Sequence, residues 1–182
     1  MSSVDGPAGN PPQLGEDVTL TLEDKNFDTD INAKMFATAK AFVGTDTSNA
    51  PGTDGGNLAA ARAVNEVTRR ALGKPISTDG GENGLSIDGI FDALQAHHIK
   101  LNSASDAKPG TIIIAPTEGA NSGHVGIVGS TTGSVNDTLV YSNSSSAKKF
   151  VQNYTLGSFT ALCTGIGLNV FFFALNLDQF RQ

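Results

Sequence analysis

The sequence predicts an α+β domain in which N-terminal helices pack on an antiparallel β-sheet. Up to about residue 98 the apolar residues recur at helical spacing. From Pro109 onward the pattern changes to short, β-prone apolar runs separated by Gly-, Ser- and Asn-rich turns. Helices first and strands afterwards is the order of an α+β domain.

Each element has its own warrant. Residues 1 to 16 are rich in Pro, Gly and Ser and read as a flexible arm, leaving 17–182 as a single domain. VTLTL at 18–22 alternates like a short edge strand. In the next stretch Asp28 or Asp30 caps a helix whose face is Ile31, Met35, Ala39 and Phe42, with Gly44 ending it. A loop of turn formers then leads to GGNLAAARAVNEVTRRALG at 55–73. Asn57 is a helix cap there, Ala60, Val64, Val67 and Ala71 share one face, and Gly73 followed by Pro75 stops the helix. Ser86 caps a third helix with Ile87, Ile90, Phe91 and Leu94 in register. KPGTIIIAP, GHVGIVGS and TLVYSNSSS read as three strands, and GLNVFFFALNL as the last. The intervening KKFVQNYTLGSFTALC fits either a strand and loop or a partly helical return.

Composition narrows the function. Twelve basic and eighteen acidic residues give a net charge of −6, and no stretch concentrates Lys and Arg enough to track phosphates, which argues against nucleic acid. The longest apolar run, near 170–175, is too short to span a bilayer, so no membrane insertion is expected. One cysteine, Cys163, excludes an internal disulfide and a Cys-based zinc site. MSSVDGPAGNPPQLGEDV has neither the basic start nor the apolar centre of a Sec signal. No cofactor and no metal are expected: the pair His97 and His98 ends a helix, where charged rings favour the dipole, and further ligands are not evident. Asp79 and Glu82 read as loop solvation, and Arg62, Arg69 and Arg70 as a solvated helix face.

Three positions can carry chemistry. Position 60 lies in the first turn of the central helix, where free N–H groups and the macrodipole favour negative charge. A cysteine there would be a low-pKa thiolate, but the residue is alanine. His124 opens a strand with a glycine at 123 and another at 126, leaving room beside the ring for another chain or a substrate. It can act as a general base, or be an ordinary strand-start histidine half in solvent. Asn143 can orient an imidazole, or be one of the turn residues that crowd strand ends. Ser122 is too near His124 in sequence to sit opposite its ring, and Cys163, between apolar residues, reads as a buried structural thiol.

The segments NLAAARAVN (57–65), PGTIIIAP (109–116), GHVGIVG (123–129) and YSNSSS (141–146) together resemble the papain-like bacterial cysteine peptidases and amidases of the NlpC and CHAP type. The resemblance covers roughly residues 55 to 160. It implies a papain-like fold, with the nucleophile position at Ala60, the general base at His124 and the orienting residue at Asn143. It also implies hydrolysis of an amide through an acyl-thioenzyme, on peptidoglycan stem peptides or the sugar–peptide link. With no Sec signal, it suggests a lysin released by lysis or an antibacterial toxin exported from the cytoplasm by a dedicated secretion system, the toxin having an immunity protein that plugs the cleft. The departure at Ala60 leaves three readings: a deliberately inactivated hydrolase, a natural pseudoenzyme, or a nucleophile elsewhere. The rival function is a non-catalytic module that binds a wall peptide or a partner protein around His124.

Overall fold

A computed structural model describes residues 20–48, 59–78 and 86–181 of the chain. The chain divides into two compact units, Met1–Asp30 and Ile31–Gln182. Of the first, the described part is the opening of helix α1 (Leu20–Phe42). The second unit begins within the same helix, at Ile31.

The architecture is α+β: the described residues form four helices and a six-stranded antiparallel sheet, the N-terminal helices preceding the sheet. Ile31, Met35, Ala39 and Phe42 of α1 are all buried, as their spacing requires. The expected strand at 18–22 is corrected: residues 20–22 are helical, and Asp28 and Asp30 lie inside α1 instead of capping it. No Gly or Pro occurs from residue 16 to 43, so a helix secured by its buried face propagates backwards at one hydrogen bond per residue. Five alternating residues are weak evidence against that.

Helix α2 (Ala60–Leu72) ends as expected on Gly73, whose φ of 98° is left-handed and whose N–H bonds Arg69 O. Its start differs: the helix begins at Ala60, Ala59 occupies the cap position without a side-chain cap bond, and Asn57 lies outside the described residues. Val64 and Val67 are fully buried, joined by Ala61, Ala63, Asn65 and Thr68. Asn65 has a task that periodicity did not reveal. Its Oδ1 accepts from the backbone N–H groups of Ile76 and Ser77, at 3.0 and 3.1 Å, and pins the segment that follows Pro75. Helix α3 (Ile87–His97) is capped by Ser86, whose Oγ accepts from Gly89 N–H at 2.8 Å.

The strands are β1 (Ile99–Lys100), β2 (Ile112–Ala115), β3 (His124–Val128), β4 (Leu139–Ser144), β5 (Lys149–Thr155) and β6 (Phe171–Ala174), in the spatial order β1-β6-β2-β3-β4-β5. The two-residue β1 carries no sequence signal of its own. The ambiguous stretch resolves into β5 followed directly by α4 (Leu156–Gly165), because Thr155 and Ser158 form a reciprocal capping box at the junction.

The sheet is covered on both faces. Ile112, Ile114, Val125, Ile127, Tyr141 and Phe150 pack under α1, α2 and α3. Ile113, Ala115, Val128 and Val140 pack under α4, with Leu156, Phe159 and Cys163. One irregularity matters. Phe150 belongs to the first face and Tyr154 packs on the second, although their even separation would put both on one face of a regular strand. The register explains it: Val140 pairs with Tyr154 but Tyr141 pairs with Gln152, so Asn153 is the extra residue of a β-bulge.

Candidate active site

A cavity of about 600 Å3 lies at the start of β3, and its walls include Ala60, His124, Asn143, Asn153, Tyr154 and Cys163. The three positions singled out by sequence therefore line one space. They reach it from different elements: Ala60 opens α2, His124 opens β3, and Asn143 is near the end of β4.

The His124 ring is half-buried between two aromatic rings. It stacks on Phe159 with centroids 5.6 Å apart and planes 27° apart, and meets Tyr154 at 5.9 Å and 71°. Tyr154 and Phe159 are themselves edge to face at 5.6 Å. This enclosure strips water from the imidazole and pushes its pKa down from 6.5 to about 4, so the ring is neutral at pH 7. Among the described residues its hydrogen-bond partner is Ser142, with Nε2 3.1 Å from Oγ, and Ser142 Oγ donates to Asn153 Oδ1 at 2.8 Å.

Asn143, which the resemblance assigned to orienting the histidine, does not touch the ring. Successive residues of β4 alternate between faces, so Ser142 points to the α4 side with His124 and Asn143 to the α2 side. There Asn143 is buried and its Oδ1 accepts from Thr47 Oγ1 at 2.7 Å, tying the segment after α1 to the sheet.

The loop that delivers His124 is pinned at both ends. Thr117 N–H bonds Asp88 Oδ1 on α3 at 3.0 Å, Gly123 N–H bonds Thr117 Oγ1 at 2.9 Å, and Glu118 and Asn121 exchange two backbone bonds between them. The glycines around His124 admit this chain's own backbone. A Cβ at residue 123 would lie 2.1 Å from Ala115 O, and one at residue 126 would lie 2.9 Å from Tyr141 O.

Cys163 is 2% exposed, and burial raises its thiol pKa, so it stays protonated. Ala60 has no nucleophilic atom, and the first turn of α2 holds no acidic residue that would compete for its N–H groups. Among the described residues no group of three or more His, Cys, Asp or Glu is placed to hold a metal ion, and no helix is long and apolar enough to cross a membrane. Of the histidine pair ending α3, His98 is a neutral acceptor, not a charged dipole partner. Its Nδ1 accepts Asn176 N–H at 2.9 Å, and burial lowers its pKa to about 4. Arg69 and Arg70 are exposed and paired with Glu66, while Asp79 and Glu82 lie outside the described residues.

No protein-family model matches the chain, and no curated protein matches it. Ser142 and Asn153 are the site residues that sequence reasoning missed. Ser142 shares the parity of Val140, and Asn153 that of Val151 opposite Ser142, so alternation alone puts both on the α4 face; what the bulge adds there is Tyr154.

Proposed function

We propose that this chain is a Cys-to-Ala form of an amide hydrolase, with position 60 as the nucleophile site and His124 as the general base. The observation that carries this reading is that the neutral imidazole, leaning to the α4 side, and the first residues of α2 both line one cavity. A thiol at position 60 would sit where helix N–H groups stabilise thiolate. It would attack the amide carbonyl carbon, with those N–H groups receiving the developing oxyanion. His124, having taken the thiol proton, would give it to the leaving amine as the C–N bond breaks. Water, deprotonated by the same ring, would then release the acyl group as a carboxylic acid. Alanine stops this sequence before its first step.

The papain-like resemblance supports peptidoglycan peptide or amide bonds as the substrate class, for a lysin or a secreted antibacterial toxin. The test is turnover of purified peptidoglycan by Ala60→Cys, beside the chain as it stands and a double variant also carrying His124→Ala. Release of new amines by the single variant alone supports nucleophile, base and substrate class together. No release from any of the three folded proteins contradicts the reading.

A second reading has its own observation. Leu162 and Ile166 line the cavity yet are 50% and 46% exposed, an apolar rim suited to covering by another molecule. A pseudoenzyme that binds a wall peptide or a partner protein would use that rim with no chemistry. For a toxin, an immunity protein seated there would close the cavity.

A further inference from the structure

The histidine has two ring nitrogens, and base chemistry depends on which one carries the proton. The hydrogen-bond chain decides it. The Ser142 hydroxyl has one hydrogen, and it is donated to Asn153 Oδ1, an atom that only accepts. Ser142 Oγ must then accept from the ring, so the hydrogen sits on His124 Nε2.

We infer that Ser142 and Asn153 are positioning residues that lock His124 as the Nε2–H tautomer and keep Nδ1 as its basic nitrogen. Three features of the fold are built for this. The Ser142 side chain is fully buried, so its hydroxyl has no water to turn towards. Alternation from Val151, the partner of Ser142, puts Asn153 on the α4 face, and the β5 bulge brings Tyr154 to that same face, so amide and aromatic stand together beside His124. The Phe159 and Tyr154 rings prevent the imidazole from flipping to exchange its nitrogens. Asn143, one residue from Ser142 but on the other face, has no part in the lock.

The consequence for catalysis rests on the hydrolase reading, but the tautomer itself is a property of the chain as it stands. Nitrogen NMR of the imidazole at pH 7 measures it directly, since protonated and bare ring nitrogens resonate far apart. The chain is expected to show a protonated Nε2 and a bare Nδ1 for His124. Asn143→Ala should leave that pattern unchanged. Ser142→Ala removes the acceptor and should give a mixture of tautomers. Should that variant not fold, Asn153→Ala serves: it frees the Ser142 hydrogen to turn towards Nε2 and should admit the Nδ1–H form. An Nδ1–H tautomer in the unaltered chain, or an unchanged pattern in folded Ser142→Ala or Asn153→Ala, overturns the inference. Absent turnover by Ala60→Cys with the expected tautomer in place would count against the hydrolase reading alone.

Discussion

The two faces of the sheet are built on different terms. Under α1, α2 and α3 the face is an apolar interior of Ile, Val and Phe, in which the buried Asn143 and Thr47 satisfy one another. Under α4 the same strands present a smaller apolar patch that gives way, at the start of β3, to His124, Ser142 and Asn153. The first face is what periodicity in a sequence describes. The second departs from periodicity at one point, an extra residue in β5 that brings Tyr154 to the α4 face beside the polar chain. Regular alternation makes the core, and its interruption marks the candidate site.

The sharpest contrast between the faces comes from their central phenylalanines. Phe150 and Phe159 are both fully buried, so truncating either to alanine should cost about 3–5 kcal/mol in urea unfolding. Only Phe159→Ala should also free the His124 ring and raise its pKa towards 6.5, as read by NMR titration, because only Phe159 covers the imidazole. A His124 pKa moved equally by Phe150→Ala would erase the distinction.

Acid should act next. His98 and His124 are held near 4 by burial, against 6.5 in the unfolded chain. Their folded pKa values are depressed, so the unfolded chain binds more protons between about pH 6.5 and 4. The stability these neutral rings contribute is complete above pH 6.5, falls as pH drops through that window, and changes no further below 4. Urea midpoints measured at pH 7, 5.5 and 4.5 should decline in that order. His124→Gln should flatten part of the slope and His98→Gln the remainder, whereas a slope untouched by His124→Gln would place that ring in water.

A smaller effect belongs to the loop before β3. Asp88→Ala removes the acceptor of Thr117 N–H and should cost about 1 kcal/mol. Hydrogen-exchange protection should fall at Thr117 and Gly123 while β2 and β3 stay protected. Uniform loss across the sheet would show that Asp88 supports the fold at large and not this loop.

Most of the architecture was legible because burial and periodicity agree. The faces of α1 and α3, the Ser86 cap, the Gly73 stop and the four main strands follow from residue spacing alone. The strand proposed at 18–22 failed because helix propagation from a buried stripe outweighs five alternating residues. His124 was legible from its glycines and its place at a strand start. Asn143 was assigned by the resemblance, whereas strand parity with Val140 puts Ser142 on the face of His124. Tyr154 beside the ring was out of reach, since nothing in VQNYT announces the bulge that puts it there.

The proposed pairing of position 60 with His124 is decided by the pH dependence of alkylation of Ala60→Cys. The buried Cys163 should react slowly and separate as a second phase. A paired thiol should give a fast phase that titrates well below the ordinary thiol value of about 8.5, and that shifts upward when His124→Ala is added. A fast phase that titrates like a free thiol and ignores the loss of His124 would contradict the pairing.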